Sequence, residues 1–250
     1  MYTLEFWQQR ASDLYLPSQA LISGKPVNAQ DGATFAAINP ATHNVMAQVT
    51  ACGQAEVDLA VASARRAFEQ GPWPRMAPGE RKKVLLRLAE LIMAHREELA
   101  LLDSLNMGKP VMDAYTIDVP GSAHVFGWYG EALDKLYDQV APTAPTALAT
   151  ITREALGVVA AVVPWNFPLD MAAWKLAPAL AAGNSVVLKP AEQSPFSALR
   201  LAQLALEAGL PEGVLNVVPG LGEQAGQALG LHPDVDCLSL IHISEPTRPY

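Results

Sequence analysis

Apolar and polar residues alternate with helical spacing over much of the chain, but one stretch breaks the pattern. From Gly157 to Val163 it reads GVVAAVV with no polar residue, then ends in Pro164, Trp165 and Asn166. A short unbroken apolar run rich in β-branched residues predicts a strand covered on both faces, as in a parallel sheet beneath helices. The pattern then repeats. Pro168 to Ala182 is expected to be a helix, Ser185 to Leu188 a second strand, Pro195 to Ala208 a leucine-rich helix and Val214 to Val218 a third strand. This β-α-β-α-β order predicts an α/β fold, a doubly wound, Rossmann-like parallel sheet.

Upstream, Leu4, Trp7, Ala11 and Leu14 mark a short amphipathic helix. Ala20 to Val27 and Thr34 to Val49 read as short strands, broken by Gly24, Pro26, Gly32 and Pro40, that form a small meander beside the main body. Val57, Val61, Ala64 and Phe68 give one helix face, and Leu85, Leu88, Ile92, Leu99 and Leu102 one face of a long helix between Gly79 and Leu105. His95 falls on the apolar side of that helix, without a second histidine at ligand spacing, and is expected to be structural. Met107-Gly108-Lys109-Pro110 reads as a stop. Asp118 is placed to cap a further helix that enters through Pro120 and runs to about Val140. Ala147 to Ala155 alternates, predicting an exposed antiparallel strand: a hairpin arm for a partner subunit or an ordinary edge strand.

Polar residues cluster beyond the strands of the repeating unit. Asn166 follows the first, Lys189 and Glu192 the second, and Pro219-Gly220 the third. Ligands bind beyond the carboxyl ends of strands in open α/β sheets, so these residues form the candidate site.

Composition narrows the function. Half of the 250 residues are apolar, enough for a sizeable core, and the net charge of −8 is spread without a basic stripe, which argues against a nucleic-acid surface. Cys52 and Cys237 lie far apart and outside any metal-ligand spacing, so neither a disulfide framework nor a zinc site is expected, and a reducing cytoplasm fits. The first residues, MYTLEFWQQR, lack the pattern of a signal peptide. No apolar run reaches the roughly eighteen residues of a membrane span.

Pro164-Trp165-Asn166-Phe167-Pro168, Trp174-Lys175, Ala182-Gly183-Asn184 and Leu188-Lys189-Pro190-Ala191-Glu192 together resemble the NAD(P)-dependent aldehyde dehydrogenase family. The likeness extends back through Asn39-Pro40-Ala41-Thr42 and Met107-Gly108-Lys109-Pro110, and on through Glu207-Ala208-Gly209-Leu210-Pro211 to Asp234-Val235-Asp236. It resembles most the bacterial enzymes that oxidise γ-glutamyl-aminobutyraldehyde, guanidinobutyraldehyde and other ω-aminoaldehydes of polyamine and arginine breakdown.

The resemblance implies roles. In the family a cysteine thiolate attacks the aldehyde, hydride passes to the nicotinamide, and a glutamate activates water. Asn166 matches the oxyanion-stabilising asparagine; its bland alternative is an Asx-type cap before Pro168. Lys189 and Glu192 match residues that hold the adenosine ribose, and a carboxylate there disfavours a 2′-phosphate, so NAD is preferred to NADP. As bland alternatives they are a strand-end lysine and a helix-start glutamate. Pro164 and Trp165 are expected to line the cofactor cleft, with Gly220 beside it. Phe167, Met171 and Trp174 match the wall of the substrate tunnel, although core residues of a helix share their spacing. Asp170 either attracts a cationic aminoaldehyde or favours the helix dipole. Gly220-Leu221-Gly222 with Gly226 resembles the dinucleotide glycine pattern only superficially, the last gap being four residues.

The family pattern breaks after Leu238. A Gly-Ser-Thr turn is expected there, whereas residues 239–250 read SLIHISEPTRPY, a tail expected to be foreign to the fold. The family's general-base glutamate and nucleophilic cysteine belong downstream of that break, so the chain is expected to be an inactive N-terminal portion of such an enzyme. The layout expected is residues 1–140 as meander and helices, 141–156 as an oligomerisation arm, and 157–238 as the cofactor-binding unit. Homo-oligomers are expected of the full-length enzyme, with an aldehyde as substrate and neither nucleic acid nor membrane as partner. The competing reading is a non-catalytic, truncated protein that binds nucleotide or caps a partner's sheet. A kinase is excluded because no G-x-x-x-x-G-K-[ST] loop is present.

Overall fold

The computed structural model describes residues 2–240. Its helices are α1 (Leu4–Ser12), α2 (Gln54–Glu69), α3 (Pro78–Ala94), α4 (Arg96–Met107), α5 (Val111–Asp113), α6 (Val119–Ala132), α7 (Pro168–Ala181), α8 (Phe196–Glu207) and α9 (Gln227–Leu231). π-helical segments at Ala114–Asp118 and Gly222–Gly226 precede α6 and α9. The strands are β1 (Ala20–Ile22), β2 (Lys25–Val27), β3 (Thr34–Ile38), β4 (Val45–Thr50), β5 (Gln139–Ala141), β6 (Ala149–Ile151), β7 (Val158–Val162), β8 (Ser185–Lys189), β9 (Leu215–Val217) and β10 (Cys237–Ser239).

β7, β8 and β9 lie side by side and parallel, with Val162 opposite Lys189 and Leu188 opposite Val217. β10 adds a fourth parallel strand beside β7, and the sheet runs β10-β7-β8-β9-β1-β2. Strand alternation assigns the two cores. Val158, Ala160 and Val187 face α2 and α9, against Val57, Val61, Ala64 and Leu229. Val159, Ala161, Val186 and Leu188 face the other way, into a larger core with Leu85, Leu88, Ile92, Leu176, Leu180 and Leu201. Burying each valine, leucine or isoleucine among them is worth about 1.5–3 kcal/mol, so covering both faces is what holds the strands against their helices. The fold is α/β with a mainly parallel central sheet, as expected.

Other elements depart from the sequence reading. The expected meander divides: Ala20–Val27 joins the main sheet as an antiparallel hairpin, with Leu21 opposite Val217, while β3 and β4 pair only with each other. Pro26 lies on the edge strand, where a missing N–H is tolerated. The long helix breaks at His95 (φ −98°, ψ 23°), whose Nδ1 lies 2.7 Å from Glu98 Oε2. Asp118 caps nothing. The chain is already helical there (φ −69°, ψ −48°), and the carboxylate pairs with Lys109.

The helix expected to reach Val140 ends at Ala132, because Leu136 and Tyr137, 70% and 78% exposed, offer no stripe to the core. Gln139–Ala141 instead forms β5 and pairs with β6, Val140 opposite Thr150, so the exposed arm is a hairpin that begins before residue 141. Of the tail read as foreign, Ser239 is the last residue of β10, opposite Ala161, and residues 241–250 lie outside the described residues.

The amino end of β7 is tied down from three directions. Gly157 has φ +137°, and a Cβ there would overlap the Asp236 carboxylate. That carboxylate accepts from Val158 N at 2.7 Å and from Arg65 Nη2 at 2.6 Å. Arg65 also donates to the Asp234 carbonyl, and Gly157 N donates to Asn184 Oδ1 at 3.0 Å.

Candidate cofactor and active site

At the opposite end, β7 and β8 deliver their following residues to one rim. Val163 N donates to the Lys189 carbonyl at 3.2 Å, and Pro164, lacking an N–H, stops the ladder. Pro168 opens α7, with Phe167 as the flanking residue (φ −143°, ψ 70°) and no side-chain cap. Asn166 therefore sits in a turn two residues before the helix. Its side chain is exposed and, among the described residues, has no hydrogen-bond partner, so it does not act as the cap that was its bland alternative.

Lys189 ends β8 with only 3% of its side chain exposed, and its Nζ donates to Glu192 Oε2 at 3.0 Å. Burial pushes the Glu192 carboxyl up, but its own backbone N–H and the Lys189 ammonium outweigh that and hold it below the usual carboxylate value. Ser194 Oγ donates to the Trp165 carbonyl at 3.3 Å, stitching the two rim loops together. Trp165, Glu192 and Gln193 line a cleft of about 480 Å³ whose far wall is Phe35, Ile38 and Pro40 of the β3–β4 hairpin. Pro164 is half-buried and is not among the residues that line it.

Sequence reading missed Asn106. It is buried at the end of α4, donates to the Gln193 carbonyl at 2.9 Å and accepts from Phe196 N at 3.3 Å, fixing the loop that follows Lys189. Its partners are 87 and 90 residues away, so no local pattern could have shown it.

The glycines after β9 differ from one another. A Cβ on Gly220 would press on the Cys52 carbonyl at 2.6 Å, so packing alone demands glycine there. Gly222 and Gly226 have nothing within 4 Å of an added Cβ, which leaves open space beside the start of the following helix.

On α7, Leu169, Ala172, Ala173 and Leu176 form the buried face. Phe167 and Trp174 are 38% and 57% exposed, and Met171 is half-buried against the larger core. The aromatic residues read as tunnel wall or core are thus on the outward side. Asp170 shares it, half-buried against α6, where Ser122 Oγ lies 3.4 Å from its Oδ1. Burial first, then the Asp118 charge, raises its carboxyl above the ordinary value.

Neither cysteine fits a nucleophile. Cys52 is fully buried, its N–H donating to the Pro219 carbonyl at 2.8 Å, and burial followed by the Glu56 charge pushes its thiol up to about 12. Cys237 is strand residue β10, opposite Val159. Among the described residues no cluster of histidine, cysteine or carboxylates could hold a metal ion, and no helix is long and apolar enough to cross a membrane.

Comparison with known proteins agrees with this fold. The profile described as Aldehyde dehydrogenase family matches residues 27–242. The NADP/NAD-dependent aldehyde dehydrogenase PuuC of Escherichia coli K12 is 50% identical over 236 residues, covering 94% of this chain and 48% of PuuC. A solved gamma-glutamyl-gamma-aminobutyraldehyde dehydrogenase from Burkholderia cenocepacia superposes with a TM-score of 0.93 at 53% identity, covering 95% of this chain and 48% of that one. An indole-3-acetaldehyde dehydrogenase mutant of P. syringae, solved in complex with NAD+, gives a TM-score of 0.94 at 52% identity over the same shares. The chain thus spans about half the length of the relatives it matches.

Proposed function

The chain belongs to the aldehyde dehydrogenase family, and on that premise we propose that it forms the cofactor-side half of an NAD-dependent enzyme that oxidises ω-amino or guanidino aldehydes to acids. The observation that carries this reading is the shared rim: parallel β7 and β8 bring the free Asn166 amide and the Lys189–Glu192 pair to one edge, beside the Trp165 cleft. The donor set fits a dinucleotide. An ammonium that donates and a carboxylate that accepts suit the two hydroxyls of a ribose, the carboxylate favours NAD over a 2′-phosphate, and the space beside Gly222 and Gly226 suits close approach of a diphosphate. Bound NAD supplies the hydride acceptor. Trp165 lines its cleft, Pro164 ends the strand that leads to it, and Gly220 holds the adjacent turn against Cys52.

Asn166 acts on the aldehyde itself. A neutral amide N–H donates to the oxygen as negative charge develops there, without gripping the carboxylate product as a cation would. Phe167, Met171 and Trp174 form the wall along which the aldehyde enters. Asp170 faces the same side and attracts its cationic tail. Since Cys52 and Cys237 are both unsuited to attack, the 250-residue chain by itself is proposed to be inactive. The exposed β5–β6 hairpin supports homo-oligomer formation by the full-length enzyme, whose aldehydes belong to cytoplasmic polyamine and arginine breakdown.

The test is direct. The chain should bind NAD saturably and more tightly than NADP, yet form no NADH with 4-aminobutyraldehyde. Turnover abolished by Cys237→Ser would refute the reading. The rival, a non-catalytic module that caps a partner's sheet, draws on the same exposed hairpin and predicts complex formation without any nucleotide affinity.

A further inference from the structure

One cation lies against the Asn166 turn where the sequence pattern reads only a helix stop. Lys109 follows Gly108, whose left-handed conformation (φ +81°) ends α4, and Ser104 Oγ donates to the Lys109 carbonyl at 2.7 Å. The side chain is directed inward, 14% exposed. Its ammonium lies 2.5 Å from Asp118 Oδ2 and 3.5 Å from the centre of the Phe167 ring. Asp118, 3% exposed, ends the π-helical segment, a distortion of the kind that re-aims side chains at functional sites. A left-handed cap and a hydroxyl bond thus fix the Lys109 backbone, and the π segment sets Asp118 against its ammonium. A lysine meant only to end a helix would leave its charge in water, because burying it is costly.

We propose that Lys109 is a positioning residue: held by Asp118, it pins the face of the Phe167 ring and, through the adjoining peptide, orients the Asn166 amide at the rim. The ion pair supplies the fixed point and the ring quadrupole the directional contact. A purely structural role would need only the Lys109–Asp118 pair, joining α4 to the π segment, and would leave the ring free. The functional half of the inference rests on the aldehyde-site reading; the ring contact does not.

The test uses the full 250-residue chain with 4-fluorophenylalanine at position 167, observed by fluorine NMR. Its resonance should stand apart from the unfolded position in the wild type, move towards it in Lys109→Met/Asp118→Asn, and return in Lys109→Arg. The double variant removes both charges, so no ion is left buried alone, and its melting temperature should stay within about 3 °C of the wild type. NAD affinity should change by less than about twofold, while the Asn166 side-chain amide resonances shift together with the ring resonance and return with it in Lys109→Arg. A ring resonance unmoved by the double variant, or already averaged in the wild type, overturns the proposal. Loss of NAD binding in every protein, with the ring behaving as stated, would instead sink the cofactor reading and leave the latch standing.

Discussion

The two ends of β7 carry polar clusters of similar size and opposite character. At the amino end the anchoring groups are paired, the buried Ser185 hydroxyl excepted: Asp236 takes Arg65 and Val158 N, and Asn184 takes Gly157 N and gives its own amide to the Ala179 carbonyl. At the carboxyl end Lys189 and Glu192 satisfy each other and Ser194 and Asn106 hold the loops, but Trp165 is half exposed and Asn166 has no partner among the described residues. Saturated hydrogen bonding reads as structure, since each bond there offsets the burial of its groups. Unspent donors at a solvent edge read as capacity to bind. The difference teaches that the same strand can be anchored at one end and poised at the other.

The comparison is broken most severely at Gly157. An alanine there meets the Asp236 carboxylate at a backbone angle that side chains avoid, so Gly157→Ala should cost about 4 kcal/mol or more and deplete soluble protein. Thermal unfolding checks it.

A second variant probes a buried acid that belongs to neither end. Asp103 on α4 is 1% exposed with both carboxylate oxygens unpartnered, and burial chiefly raises its carboxyl to about 7. The folded state therefore keeps a proton that the unfolded chain releases near its ordinary value of 3.8. Stability should fall as pH rises between those values and level off above about 7. Asp103→Asn should remove the slope and add roughly 2–4 kcal/mol at pH 8. Denaturant midpoints from pH 4 to 8 would show it, and equal slopes in both proteins would exclude the cause.

A smaller loss is expected on removing the anchoring cation. Arg65 is part-exposed, so Arg65→Ala should cost about 1–2 kcal/mol and loosen β10 first, visible as faster amide exchange at Leu238. At the poised end the stability effect should nearly vanish. Asn166→Ala should stay within about 0.5 kcal/mol of the wild type, while in the full-length enzyme it lowers turnover by about a hundredfold or more.

Much of this was legible in the chain. The run from Gly157 to Val163 announced a two-faced strand, and the residues following each strand announced the rim, because local period and strand polarity suffice for both. What escaped was non-local. Breaks at Gly24, Pro26, Gly32 and Pro40 suggested a meander beside the main body, yet β1 and β2 join the main sheet, with Pro26 on its edge strand. Lys109 and Asp118 looked like a stop and a cap, and their pairing depends on a π turn that no periodicity displays. Arg65 and Asp236 are 171 residues apart, and only the packed sheet brings them together.

The central claim is that the carboxyl end of β7 and β8 is a nucleotide site. Calorimetric titration of NAD into the chain and into Glu192→Gln tests it most directly. We expect saturable binding to the wild type, and in the variant an affinity lowered about fivefold or more with the preference for NAD over NADP diminished, as loss of one charge-assisted ribose contact requires. Indistinguishable titrations of the two proteins, or no heat of binding in either, would contradict it.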